Sequence, residues 1–182
     1  MKGIVFTEFL DMVDDKFGFT VTESIVQASD LPSGGAYTAV GTYDHAEIVS
    51  LVGNLSKSTN MEIPVLIYTF GRHLFDRFQI LYPDFFTTAT SAPEFLASVD
   101  GYIHLEVRKL YPDATLPQIT TEEISDKEFV LNYKSDRMMG DLAEGLIAGA
   151  IEHFGNHHQC IREDLANEKG SQCVRFTLKK TH

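Results

Sequence analysis

The chain has 182 residues, 43% hydrophobic and 23% charged, enough for one packed domain and unlike the composition of a disordered chain. Lys and Arg number 15 against 26 Asp and Glu, and the formal net charge of −11 repels phosphate backbones and anionic lipid, so neither nucleic acid nor a membrane is expected as a partner. No apolar run could span a bilayer, Glu8 and Asp11 interrupt the N-terminus too early for a signal peptide, and Cys160 and Cys173 cannot build a disulfide framework, so a cytoplasmic location is expected.

From residue 1 to about residue 111 the apolar period is helical. Ile4, Phe9, Val13 and Phe17 share one face of a first helix. Residues 44–58 place Ile48, Leu51, Val52 and Leu55 on another, with Asp44 and Glu47 spaced like a capping pair. A longer helix follows Pro64 and ends before Pro83, carrying Leu66, Phe70, His73, Leu74, Phe78 and Leu81, with Gly71 as a candidate bend or hinge. Ser91 and Glu94 have capping-box spacing at the start of the next helix, and residues 100–111 are helical again before Pro112.

The second half changes period. Phe129, Leu131 and Tyr133 alternate with Val130 and Asn132, and Val174, Phe176 and Leu178 alternate with Arg175, Thr177 and Lys179, which predicts two strands. Between them, residues 137–154 predict a helix with Met139, Leu142, Leu146 and Ala150 along one stripe. Gly145 and Gly149 on that helix permit a close backbone approach, by another helix or by something flat. The expected class is α+β: a helical N-terminal part and a C-terminal antiparallel sheet with at least one helix, in a single domain over residues 1–182.

Hydrolytic nucleophile motifs and phosphate-binding loops are absent from the sequence. Among the histidines, His45, His157, His158 and His182 lie among polar residues and read as solvated, while His73 reads as a hydrogen-bonded core residue. His153 and His157, with Cys160 and Cys173, could be imagined around zinc, though the spacing fits no standard module. His104 sits beside the apolar stripe of Ile103, Val107 and Leu110, as either a satisfied core residue or an axial iron ligand would. In Tyr133-Lys134-Ser135-Asp136-Arg137, an extended backbone would set residues 133, 135 and 137 on one face about 6–7 Å apart. A phenol, a hydroxyl and a guanidinium in that row suit a pair of carboxylates such as haem propionates, or simply end a strand.

His104, Pro117 beyond it, the Tyr133-x-Ser135-x-Arg137 motif and the opening Met1-Lys2-Gly3 together resemble the H-NOX (haem nitric oxide/oxygen binding) family over essentially the whole chain. The resemblance implies haem b buried between a distal helical part, about residues 1–60, and a proximal part, about residues 61–182. It implies His104 as the proximal iron ligand, Tyr133, Ser135 and Arg137 as the propionate clamp, and Pro117 as the residue that presses on the porphyrin. Leu142 stands where oxygen-binding members carry a distal tyrosine, and Phe9, Leu74, Phe78 and Leu146 complete an expected wall without a hydrogen-bond donor.

Such a wall implies a sensor of nitric oxide, also binding carbon monoxide, that excludes oxygen. Signalling is expected through cleavage of the iron–histidine bond and relaxation of the haem away from Pro117. No enzymatic activity is expected. The output is expected through a separate histidine kinase, or a cyclic-di-GMP synthase or phosphodiesterase. The zinc site of some bacterial members is in doubt, with only Cys160 and Cys173 available in the C-terminal region. A cofactor-free interaction module and a peroxidase-like enzyme are the competing readings, the second opposed by Leu74 and Leu142 where a general base would sit.

Overall fold

In the computed structural model, which describes residues 1–155 and 157–181, seven α-helices and four strands follow in the order expected of an α+β chain. Helix α1 (Gly3–Phe17) and α2 (Phe19–Ala28) are separated by Gly18, whose φ of 87° lies in the region that favours glycine. Helix α3 (His45–Thr59) begins where the Asp44 carboxylate accepts the Ala46 N–H at 2.9 Å. Glu47 does not complete the expected capping pair. It is buried, and accepts from the Tyr37 hydroxyl at 2.9 Å and from Ser33.

Helix α4 (Ile63–Leu81) starts with Pro64 in its first turn and runs unbroken past Gly71. A 3₁₀ turn (Pro83–Phe86) leads to α5 (Ala92–Ser98), where Ser91 caps the Glu94 N–H and Glu94 reaches back to Thr90. A π-helical turn (Val99–Ile103) then feeds α6 (His104–Leu110), so the single expected helix over residues 100–111 changes pitch in front of the histidine. Strands β1 (Gln118–Ser125) and β2 (Glu128–Ser135) form a hairpin, followed by α7 (Gly140–His153), β3 (His158–Glu168) and β4 (Ser171–Lys180). Helix α7 starts three residues later than the sequence suggests. Met138 takes a φ of 52°, which ends β2's turn and excludes residues 137–139 from the helix.

The sheet is antiparallel, in the order β1-β2-β4-β3. Its central strands bury Phe129, Leu131 and Tyr133 beside Leu178, Phe176 and Val174, each pair in register. The edge strands are mostly exposed on both faces, and their weak alternation hides them in the sequence.

Two apolar clusters result. The first joins α1, α3 and the N-terminal half of α4 around Phe6, Phe9, Leu51, Leu55, Leu66, Phe70 and Leu74. The second joins α5, α7 and the inner sheet face, with Phe75 of α4. Helix α4 therefore belongs to both. The helices α4 and α7 cross with backbones nearly touching: a Cβ on Gly71 would lie 2.3 Å from the Leu142 carbonyl oxygen. Gly71 thus serves contact rather than a bend. Among the described residues, no helix is long and apolar enough to cross a membrane.

Candidate functional site

His104 is the only residue of α6 that is buried. The π-helical turn sets it there: its backbone N–H bonds the carbonyl of Val99, five residues back, so α6 is rotated relative to α5. Asp100 lies 3.3 Å from His104 Nδ1, which fixes the ring and leaves Nε2 for a ligand. Burial pushes the imidazole below its ordinary pKa against the opposing effect of Asp100, so the ring is neutral at pH 7 and can donate a lone pair. Asp100 is not among the residues that sequence reasoning singles out, although a carboxylate four residues before a helical histidine is the available signal. Pro117 stands half-buried immediately before β1, whose Ile119 pairs with Tyr133.

Tyr133 is 5% exposed on the central strand β2. Burial pushes its phenol upward in pKa, while a hydrogen bond with Ser135, the Met139 backbone and the Arg137 guanidinium act in the opposite direction. These three groups therefore meet, but not as an extended row. The strand ends at Ser135, and the chain turns so that the Arg137 N–H donates to Ser135 Oγ at 3.2 Å.

On the other side, Phe9 and Leu74 are buried in the first cluster, with Phe9 edge-on to Phe70 at 5.3 Å between ring centroids. Phe78, Leu142 and Leu146 are half-buried against it, and Leu146 also touches the second cluster. The Tyr37 hydroxyl donates to Glu47 at 2.9 Å, and the Tyr43 hydroxyl accepts from the Thr38 N–H at 2.8 Å.

A family profile described as haem-NO-binding matches residues 2–160. The chain belongs to the H-NOX family. It is 41% identical to the Fe(II) unliganded H-NOX protein from K. algicida, covering all of this chain and 97% of that one, with a TM-score of 0.91. To the Fe(II)NO form of an H-NOX protein from S. oneidensis it is 26% identical with both chains fully covered and a TM-score of 0.84. A single-site mutant of T. Tengcongensis H-NOX shares the fold at 21% identity, over 100% and 98% of the two chains, with a TM-score of 0.87. No curated protein sequence matches.

H-NOX domains bind haem and, through it, gases such as nitric oxide. The residues of this chain fit the group. A neutral, buried imidazole anchored through its other nitrogen suits an axial iron ligand, and a phenol, a hydroxyl and a guanidinium converge as carboxylate donors. Partly exposed apolar side chains on α4 and α7 suit a porphyrin face.

Of the remaining histidines, His157 is exposed as expected, while His73 and His45 depart from expectation. His73 is not hydrogen-bonded: its Nε2 is buried without a partner, 3.6 Å from Glu8, whose carboxylate is taken by Arg77 at 2.7 Å. His45 is not solvated either; its Nε2 is closed off and lacks a partner. The His182 expectation falls outside the described residues. His153 packs against the rings of Phe154, Phe86 and Phe75, while Cys160 and Cys173 pair with Leu178 and Leu165 at separate points of the β3–β4 ladder. Among the described residues, no three His, Cys, Asp or Glu side chains gather to hold a metal ion.

Proposed function

We propose that this H-NOX protein is a non-enzymatic sensor of nitric oxide that also takes carbon monoxide, excludes dioxygen, and regulates a separate signalling protein. Haem b is the cofactor of this reading. A ferrous haem would supply an iron able to take up a diatomic gas. His104 holds the metal through Nε2, and Asp100 orients the ring through Nδ1. Tyr133, Ser135 and Arg137 would hold the propionates, and Pro117 would press on the porphyrin. The signal in this reading is release of His104, which frees α6 from its one buried anchor.

One observation carries the ligand preference: the apolar set of Phe9, Leu74, Phe78, Leu142 and Leu146, with the Tyr37 hydroxyl proton already given to Glu47. Bound dioxygen gathers partial negative charge and needs a donor, which nitric oxide and carbon monoxide need far less. The cognate partner in this reading is a histidine kinase, or a cyclic-di-GMP synthase or phosphodiesterase, in a cytoplasmic two-component or cyclic-di-GMP pathway.

The test is the absorption spectrum of the reduced protein, first anaerobic, then with nitric oxide, then in air. Five-coordinate ferrous haem that becomes a five-coordinate nitrosyl form and ignores air is expected. Stable retention of dioxygen overturns the exclusion, and absence of haem overturns the whole reading.

A further inference from the structure

Glu8 is a charged side chain only 5% exposed on the buried face of α1, and a carboxylate there needs a partner. The Arg77 Nε–H donates to Glu8 Oε2 at 2.7 Å and an Nη2–H reaches Oε1 at 3.4 Å, so the guanidinium forks across the whole carboxylate. His73 Nε2 faces the same Oε2 at 3.6 Å, too far for a hydrogen bond, which leaves Arg77 as the group that fixes Glu8.

The pair stands at one end of the α1–α4 interface. On α1, Glu8 is followed by Phe9, which is fully buried and meets Phe70 of α4 edge-on. On α4, Phe70, Leu74 and Arg77 recur along one face, and Phe78 follows Arg77 directly. The two helices thus touch at an apolar point, Phe9 against Phe70, and at a charged point two turns further along α4, about 10 Å away. Leu74 lies between the two points. Apolar side chains tolerate sliding, because their attraction has no direction, whereas a forked ion pair holds one register only.

We propose that Glu8 is a positioning residue for the gas-binding wall: through Arg77 it fixes α1 against α4 and so sets the spacing of Phe9, Leu74 and Phe78. This rests on the haem-sensor reading above, in which those three side chains belong to the wall around the bound gas. Glu8 itself touches no ligand. Removing one partner of the pair leaves a buried charge and strains the interface, while replacing both by apolar residues of like volume keeps the helices packed but frees their register.

The test uses the reduced holoprotein with carbon monoxide and reads three quantities: the C–O stretching band, the rate of carbon monoxide association, and Tm. Glu8→Gln, and the double variant Glu8→Leu with Arg77→Met, are compared with wild type and with Leu178→Ala, a buried truncation in the second cluster. Glu8→Gln is expected to lower Tm, and the double variant to return it to that of wild type. Both should nonetheless show a broadened, shifted C–O band and a several-fold change in association rate. Arg77→Lys keeps the charge but loses the fork, and should fall between these and wild type. Leu178→Ala should lower Tm and leave the band where it is in wild type. A wild-type band and rate in the double variant overturn the proposal. So does a shift of the same size in Leu178→Ala, which would mean general loosening. A wild-type chain with no carbon monoxide band overturns the haem-sensor reading itself, whereas a wild-type band unaltered by the Glu8 variants removes only the positioning role.

Discussion

Replacing Gly145 by Ala tests the α4–α7 crossing on which both clusters depend. A Cβ at residue 145 would fall 2.2 Å from the Tyr68 carbonyl oxygen, 2.9 Å from Gly71 Cα and 3.0 Å from the Arg72 nitrogen. All three are backbone atoms of α4, so no rotamer change relieves the clash. Ordinary carbon–oxygen contact begins near ~3.3 Å, so the two helices must part by about 1 Å. Overpacking of that kind costs about 2–3 kcal/mol, equivalent to a fall in Tm of roughly 5–10 °C for a domain of this size. Gly53→Ala is the control, because a Cβ there meets nothing within 4 Å in the middle of α3. Alanine should stabilise that helix by about 1 kcal/mol. Urea unfolding of the two variants, with equal m values, reads both effects. If Gly145→Ala is as stable as wild type while Gly53→Ala behaves as stated, the helices are not in backbone contact and the account of the crossing is wrong.

Leu142→Tyr places a phenol on α7 where the apolar wall is proposed; the reduced variant should hold dioxygen in air, and indifference to air would remove residue 142 from the ligand's surroundings. Burial, with Glu144 adding to it, pushes the Cys160 thiol up to about 12, so at pH 8 its thiolate fraction is about a thousandfold below that of a free cysteine. Alkylation followed by mass spectrometry should therefore label Cys160 on the order of a thousandfold more slowly than a model thiol, rising about tenfold per pH unit; rapid labelling at pH 8 would refute its burial. His104→Gly should speed amide hydrogen exchange in α6 at least about tenfold while leaving β2 and β4 protected; uniform protection would show that α6 has another anchor.

How much of this can be read from sequence follows from where each signal is stored. The central strands announce themselves because one face is buried, giving Phe129, Leu131 and Tyr133 a clean period of two. The exposed edge strands β1 and β3 carry no such pattern. Helix α2 escapes sequence reasoning for a similar reason, since only Ile25 of its ten residues is buried. Tyr133, Ser135, Arg137 and His104 stand out in the sequence as a motif, but the motif suggests an extended row that the turn at Ser135 replaces. His45 is not legible at all. Its local neighbours say solvent, yet tertiary packing closes off its Nε2.

The distribution of anchors also decides which part of the domain can respond to His104. Glycines 71 and 145 bring α4 and α7 into backbone contact, and backbone atoms already touching cannot be compressed further. These helices form one packed unit, and Leu146 packs against both clusters. Helix α1 is tied to α4 by the buried Glu8 carboxylate and Arg77. Helix α6 has no comparable fastening: seven residues long, it buries His104 and nothing else, and it is joined to α5 by a π-helical turn rather than a continuous α-helix. Burial of one imidazole therefore sets the position of the whole element. A change in the histidine's bonding reaches the surface through α6 before it can disturb the crossing, because α6 is where the least apolar contact has to be broken.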